Sequence, residues 1–228
     1  MWTILCDFDG TVTLKDTTDA VFSMFANPQW RIIEEQWEEG KISSATCMRR
    51  QVELLDADLS EIDAFLDTIP VDPYFSEFAD FCKISNIPLV IASDGVDYFI
   101  HHLLKRCGLS YLPVRANHLV RQGNRRYSLH GPDENICEAQ SGTCKCSMAE
   151  QKTRHTLLIG DGRSDFCLAH KVDMVFAKHN LLEYSIFHAL PHKGFTDFCD
   201  VKRLMQQLIS VEMPDIAHPA TLNEVVAI

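Results

Sequence analysis

Four short runs of the chain are apolar almost without interruption: WTILCDF (residues 2 to 8), IPLVIAS (87 to 93), HTLLIGD (155 to 161) and VDMVFAK (172 to 178). A strand with one face in water alternates, whereas a strand covered by helices on both faces does not, so these runs predict buried parallel strands. Helical spacing separates them. Residues 74 to 85 (YFSEFADFCKIS) predict a helix ahead of the second run, 97 to 107 (DYFIHHLLKRC) a helix after it that stops at Gly108, and 164 to 171 a helix after the third. Strand alternating with helix predicts the α/β class, as a Rossmann-like doubly wound parallel sheet.

Two stretches depart from that alternation. Residues 15 to 72 carry helical segments and no convincing strand: an Asp/Thr-rich start at Asp16 to Asp19, a stretch opened by Pro28 and running through Trp37, then Ser43 to Leu55 and Leu59 to Leu66. This predicts an α-helical cap inserted into a core made of residues 1–14 and 73–228. Over residues 111–144, two short β-like pieces, HLVRQ and RRYSL, flank Gln122-Gly123-Asn124 and lead into a Gly/Cys-rich loop, which predicts a small β-like insertion. Beyond Met213 the chain opens with Pro214 and reads as a loosely ordered tail.

Charge narrows the function classes. The 228 residues hold 32 acidic and 21 basic side chains, a formal net charge of −11, and show no Lys/Arg stripe. That surplus repels a phosphate backbone, so nucleic acid is excluded as a partner. No run approaches the roughly 20 apolar residues that span a bilayer, and MWTILCDFDG lacks the pattern of a secretory leader, so no membrane is expected. Nine cysteines make an odd count, and Cys6, Cys82 and Cys167 lie in apolar runs, which predicts free thiols and a cytoplasmic, reducing compartment. The acidic surplus also repels small anionic substrates unless a local feature reverses it.

Such a feature lies at the strand ends. Cys6-Asp7-Phe8-Asp9-Gly10-Thr11, Ala92-Ser93-Asp94-Gly95 and Gly160-Asp161-Gly162-Arg163-Ser164-Asp165 each close a predicted strand at its carboxyl end, where open α/β sheets place their sites. Asp7 and Asp9, two apart in extended chain, point to one face, and Asp161 adds a third carboxylate. Carboxylates this close raise one another's pKa unless a cation lies among them, and hard oxygen ligands favour Mg²⁺, which keeps waters and a substrate phosphate in its shell. A Ca²⁺ loop starting at Asp7 would need Gly at its sixth position and Glu at its twelfth, where Val12 and Thr18 stand. Cys137, Cys144 and Cys146 lack a tetrahedral zinc spacing, and His101, His102, His188 and His192 are scattered.

In order along the chain, DFDGT after an apolar strand, Ser93 ending a second, a lysine upstream of a third and GDGRSD after it resemble the four motifs of the haloacid dehalogenase superfamily of phosphatases, over roughly residues 1 to 200. The resemblance implies Asp7 as a nucleophile that forms an aspartyl-phosphate, and Asp9 as the general acid that then activates water. It implies Thr11, Ser93, Asp94 and Gly95 at the phosphate, and Asp7, Asp9 (through its carbonyl), Asp161 and Asp165 around Mg²⁺. An acid at Asp9 is similar to phosphatases and phosphomutases, where ATPase pumps carry Thr and phosphonate-cleaving members Ala. For the lysine, Lys145, Lys152 and Lys105 are available. Lys145 follows Gly142-Thr143-Cys144 and opens a predicted helix, whose N-terminus reinforces anion binding, so it is preferred.

The helical insertion is similar to the cap of the phosphoserine-phosphatase-like branch. ILCDFDGT, Asn27-Pro28-Gln29-Trp30, Gly95-Val96-Asp97-Tyr98-Phe99, Gly142-Thr143-Cys144-Lys145, and Val175-Phe176-Ala177 with Leu181-Leu182 resemble the 2-hydroxy-3-keto-5-methylthiopentenyl-1-phosphate phosphatases of methionine salvage. The chain departs from that pattern at Ser141, where a cysteine is expected, and at Ser93-Asp94-Gly95, where Ser-Gly-Gly is expected. The implied partner is a small phosphorylated metabolite, with phosphoserine, phosphocholine and pyridoxal phosphate as alternatives, a phosphotransferase or mutase and an idle phosphate-binding regulator as competing classes, and a homodimer left open. In the cap, Trp30 and Trp37 share a helix face with Ile33, as core or as an apolar lid. Asp16 either faces the crevice or caps a helix. Arg49 and Arg50 either reach a substrate carboxylate or stay solvated.

Overall fold

The computed structural model describes residues 1–132, 141–149 and 154–212. The elements follow in order: β1 (Trp2–Cys6), helices α1 (Thr17–Phe25), α2 (Trp30–Glu38), α3 (Ser44–Val52), α4 (Leu59–Leu66) and α5 (Phe75–Ile84), then β2 (Leu89–Val96), α6 (Asp97–Arg106), β3 (Val114–Gly123) and β4 (Arg126–His130). After these come α7 (Lys145–Met148), β5 (His155–Gly160), α8 (Phe166–Ala169), β6 (Met174–Ala177), α9 (His179–Phe187), β7 (His192–Gly194) and α10 (Phe198–Glu212). Seven strands form one sheet in the order β4-β3-β2-β1-β5-β6-β7, parallel except for β4. The chain leaves β1 for β2 on one side and reaches β5 on the other, so β1 is the switch point where carboxyl-end loops diverge and leave a crevice.

The near-continuous apolar runs become strands covered on both faces. In β1, Ile4 and Cys6 join a cluster with Phe75, Phe78, Leu103, Phe198 and Met205 from α5, α6 and α10. Leu5, pointing the other way, packs with Leu158, Leu168, Val175 and Leu181 over α8 and α9. Phe75 and Phe198 meet edge-on at 4.8 Å between centroids. Each such side chain taken out of water contributes about 1.5–3 kcal/mol, which fixes the strand order and hence the convergence of the loops.

Between Thr17 and Leu66 four helices follow β1 with local caps: Asp16 accepts from the Asp19 amide at 2.8 Å to start α1, Ser43 accepts from the Thr46 amide at 3.2 Å to start α3, and the Asp58 amide donates to Glu61 Oε2 at 2.7 Å to start α4. The rim of this helical layer is tied to the β3–β4 hairpin. Arg125 donates to Asp56 Oδ1 at 2.7 Å and to Glu61 Oε2 at 2.5 Å, and the Tyr127 hydroxyl donates to the Ala57 carbonyl at 2.8 Å.

The structure corrects several expectations. The second strand does not end at Ser93: it continues to Val96 with a register shift after Ala92, because β3 keeps pairing alongside it. The pieces around Gln122 are the arms of a hairpin whose first strand joins the main sheet, Val114 beside Ile91, so the insertion widens the core. The helix read at 164 to 171 is a 3₁₀ turn, Arg163–Asp165, followed by α8, since Asp165 turns back to bond its own loop. Cys167 is not an isolated thiol: the structure pairs it with Cys146 as a disulfide, brought together by the packing of α7 against α8. β7 is short and mostly exposed, and no apolar run announced it. Cys137, Lys152 and the tail from Met213 onward lie outside the described residues. Among the described residues no helix is long and apolar enough to cross a membrane.

Candidate active site

Asp7 leaves the end of β1 still in sheet register, its amide donating to the Ile159 carbonyl at 2.8 Å. The chain then reverses. The amides of Thr11, Val12 and Thr13 all turn onto the Phe8 carbonyl at 2.8–3.2 Å, and Gly10 takes φ +70°, where a Cβ would stand 2.6 Å from the Asp161 carboxylate. This turn aims Thr11 at Asp161, whose Oδ1 accepts from the Thr11 hydroxyl at 2.8 Å. Thr11 therefore holds an acid of the neighbouring strand end through its hydroxyl.

Asp9 accepts from the Thr17 amide and from the Thr18 hydroxyl, both at 3.1 Å. Its carboxylate packs against Gly95, where a Cβ would collide with it, so only glycine lets the two strand ends approach this closely. Next to it, Ser93 Oγ accepts from the Gly95 amide at 3.0 Å.

Lys145, the first residue of α7, is buried and reaches three strand-end groups: Asp7 Oδ1 and Asp165 Oδ1 at 2.7 Å each, and Ser164 Oγ at 3.0 Å. Asp165 is in turn held by the amides of Asp161 at 3.2 Å and Gly162 at 3.4 Å. Oxygens of Asp7, Asp161 and Asp165 lie within 4.8 Å of one another. Asp7, Asp161 and Asp165, with Asp9 beside them, outnumber Lys145 and the nearby Lys178, which leaves net negative charge where burial penalises it. Burial, and after it Asp165, pushes the Asp7 carboxyl well up, with Lys145 opposing. Asp161 rises through burial and Asp165, held back by Thr11, and Asp9 rises through burial against its bonds from Thr17 and Thr18. Burial opposes the charge on Lys145, but Asp165 and Asp7 raise its pKa beyond the ordinary value. The donor set, all hard oxygens with unbalanced charge, fits a divalent cation.

A test follows from the sign of these shifts. A carboxyl whose folded pKa is raised binds its proton more tightly in the native state, so its contribution to stability is present at low pH and lost as pH rises through the folded value. The metal-free protein is therefore expected to melt a few degrees higher below the pH at which these buried acids ionise than above it. Mg²⁺ should close most of that gap, and Asp161→Asn should flatten the slope. A melting temperature that climbs with pH in the metal-free protein, followed by scanning calorimetry, would contradict this charge balance.

Above the acids lies a crevice of about 270 Å³. Its floor is Asp7, Asp9, Ser93, Gly95 and Asp161, and its roof includes Trp37, Ser44, Cys47 and Met48 from α2 and α3. Trp37 lies under the Arg163 guanidinium, 5.3 Å from its ring centroid, whereas Trp30 is buried against Phe22. One tryptophan thus lines the crevice and the other is core. Asp16 caps α1 and also lines the crevice, so both readings of it hold. Neither Arg49 nor Arg50 lines it. Asp94 lines it too, but its carboxylate accepts from Ser44 and from the Thr143 amide. Sequence reasoning missed Thr18, Ser164 and Lys178. The last is a buried lysine at the end of β6, donating to the Thr11 carbonyl at 3.2 Å and thus bracing the turn after Asp7. Its polar ending on an apolar strand was the available signal.

Residues of three of the four motif segments line one crevice, and Lys145 of the remaining one bonds Asp7 at its floor. The haloacid dehalogenase-like hydrolase family matches the chain over residues 4–170. The chain belongs to this family. Within the haloacid dehalogenase-like hydrolases, a 2-hydroxy-3-keto-5-methylthiopentenyl-1-phosphate phosphatase of Brevibacillus brevis is 32% identical over 212 residues, covering 90% of this chain and 95% of the relative. One of Geobacillus thermodenitrificans is 30% identical over 216 residues, covering 90% and 96%. Among solved structures, a phospho-aspartyl intermediate analogue of phosphoserine phosphatase matches with a TM-score of 0.67 at 19% identity, over 89% of this chain and 97% of that one. Cytosolic 5'-nucleotidase IIIB bound to cytidine matches at 0.64 and 16%, over 92% and 86%. At such identities these two show a shared fold.

Proposed function

We propose that the protein is a Mg²⁺-dependent phosphomonoester hydrolase working through an aspartyl-phosphate on Asp7, and that its substrate is 2-hydroxy-3-keto-5-methylthiopentenyl-1-phosphate or a close analogue. The observation that carries the chemistry is Lys145 bridging Asp7 and Asp165 beneath a crevice that holds Asp9 on its other side. Lys145 engages Oδ1 of Asp7, which leaves Oδ2 to attack phosphorus. As the P–O bond to the leaving alcohol breaks, Asp9 protonates that oxygen; its burial-raised pKa suits an acid. Asp9 then takes a proton from water, which attacks the phosphoryl group, releases inorganic phosphate and restores Asp7. In this reading the Ser93 hydroxyl, and Lys145 on exchanging one of its present acceptors, hold the phosphoryl oxygens. Asp7, Asp161 and Asp165, with the carbonyl of Asp9, would hold Mg²⁺, which when bound neutralises charge on the phosphoryl group and the nucleophile. The helices over the crevice serve as the cap that excludes water.

The substrate reading is supported by the relatives' activity and by the roof. Trp37, Met48 and Cys47 offer soft apolar surface to a thioether. Among the described lining residues Arg163 is the one cation, and it is engaged with Trp37, which gives a substrate carboxylate such as that of phosphoserine little to bind.

Phosphate release from a panel of esters with Mg²⁺ tests this. The enol phosphate is expected to exceed phosphoserine, phosphocholine and pyridoxal phosphate in kcat/KM by about tenfold or more. Phosphoserine in first place would change the substrate and leave the chemistry standing, whereas no release from any ester would end the hydrolase reading.

A further inference from the structure

Asp94 stands where a phosphate loop gains nothing from a negative charge. Its neighbours face the crevice floor: Ser93 Oγ meets the Gly95 amide, and Gly95 packs under Asp9. The Asp94 carboxylate turns instead to two segments distant in sequence. Oδ2 accepts from the hydroxyl of Ser44, the first residue of α3, at 2.5 Å, and Oδ1 accepts from the Thr143 amide at 3.2 Å.

Both contacts have consequences. Thr143 is buried and lies two residues before Lys145, and its carbonyl accepts from the Lys145 amide at 3.1 Å. Asn117 on β3 locks the same turn. It donates to the Asp94 carbonyl at 2.5 Å, faces the Thr143 hydroxyl at 3.4 Å, and packs so tightly on Gly142 that no Cβ would fit there. The launching point of α7, and with it the Lys145 ammonium between Asp7 and Asp165, is fixed by this network. Ser44, on the other side, belongs to the helix whose Cys47, Met48 and Gln51 line the crevice. One carboxylate therefore joins the helix over the substrate space to the turn that delivers the catalytic lysine. A carboxylate accepts only: Oδ2 accepts from Ser44, and Oδ1 from Thr143 and, at 3.5 Å, from Asn117 Nδ2. Losing the Ser44 donor frees its rotation and weakens its hold on Thr143.

We infer that Asp94 is a positioning residue that couples seating of α3 over the crevice to placement of Lys145. The inference rests on the hydrolase reading for its kinetic consequence but not for its structural one, so two measurements separate them. The first is amide hydrogen exchange over residues 141–149 of the intact protein. Ser44→Ala lies in α3, remote in sequence, and should speed exchange at Thr143 and the first turn of α7 several-fold, and Asp94→Gly should do so more strongly. Unchanged exchange there in Ser44→Ala overturns the coupling whether or not any ester is hydrolysed.

The second is steady-state and rapid-quench kinetics on para-nitrophenyl phosphate with Mg²⁺. Asp94→Gly is expected to lower kcat by about tenfold or more with KM changed less than about threefold, the loss falling on formation of the phosphoenzyme, the step in which Lys145 meets Asp7. Asp94→Asn keeps an oxygen for Thr143 and an amide for Ser44 Oγ, and should recover most of the rate. Ser44→Ala should cost less, and combined with Asp94→Gly it should add nothing further. Additive losses, or a kcat for Asp94→Gly within twofold of the parent, would show that Asp94 does not act through Lys145.

Discussion

Asp7→Asn is expected to abolish phosphate release while the protein stays folded. Asparagine has the shape of the aspartate and can still meet Lys145 through its amide oxygen, but it supplies no anionic nucleophile. The loss should reach about 10⁴-fold or more, the scale seen when the group that forms a covalent intermediate is removed. Stability should move the other way or not at all, because burial already penalises the charge on Asp7 and Asp165 lies against it. Two readouts check this: inorganic phosphate release, and phosphoryl label trapped on denatured protein, present in the parent and absent in the variant. Residual turnover above about 1% of the parent would remove Asp7 from the role of nucleophile.

Lys145→Met should damage both fold and function. The lysine is almost fully buried, 3% exposed, and its ammonium answers two buried carboxylates. Removing one partner of a buried ionic cluster costs about 3–5 kcal/mol, since Asp7 and Asp165 are then left facing each other without a cation. In a chain of this size that corresponds to a melting temperature lower by about 10 °C. Turnover should fall about 10³-fold through loss of charge stabilisation at the phosphoryl group. The two effects separate in Lys145→Met/Asp165→Asn, which relieves the repulsion and should regain most of the stability without regaining the rate. A single variant that melts with the parent would mean that the bridge between Asp7 and Asp165 is absent in solution.

What could be read from the chain, and what could not, follows from how local each signal is. Buried parallel strands announce themselves as uninterrupted apolar runs, and the polar residues ending them are legible because a site at the carboxyl end of a sheet needs the sequence to change character there. Asp7, Asp9, Ser93 and Asp161 are of this kind, and the structure brings them to one crevice. Once the resemblance called for a lysine, Lys145 was preferred to Lys152 and Lys105 for its place at the start of a predicted helix. The use of Asp94 was not: its partners Ser44 and Thr143 lie 50 and 49 positions away, and nothing in their own neighbourhoods points back to it. The same holds for Thr11, whose adjacency to the DFDG turn suggested phosphate while its hydroxyl meets an acid 150 positions on. β3 was underestimated because half of it is polar and exposed, and only its first residues pair with β2. Cys146 and Cys167 come from separate elements, and a cysteine count alone says nothing of which helices pack together.

The stacking of Trp37 under Arg163 gives the molecule its own optical reporter. Of the three tryptophans in the chain, Trp2 and Trp30 are buried, at 6% and 7% exposure, and Trp37 alone stands at the mouth of the crevice against a guanidinium carried by the core. Indole emission depends on the polarity and charge around the ring. Any departure of α2 from the core would strip the cation from Trp37 and hydrate it, shifting its emission to the red, while Trp2 in β1 stays dark to the change. Intrinsic fluorescence of the unlabelled protein, read in stopped flow as an ester or inorganic phosphate arrives, would therefore record opening and closing turnover by turnover.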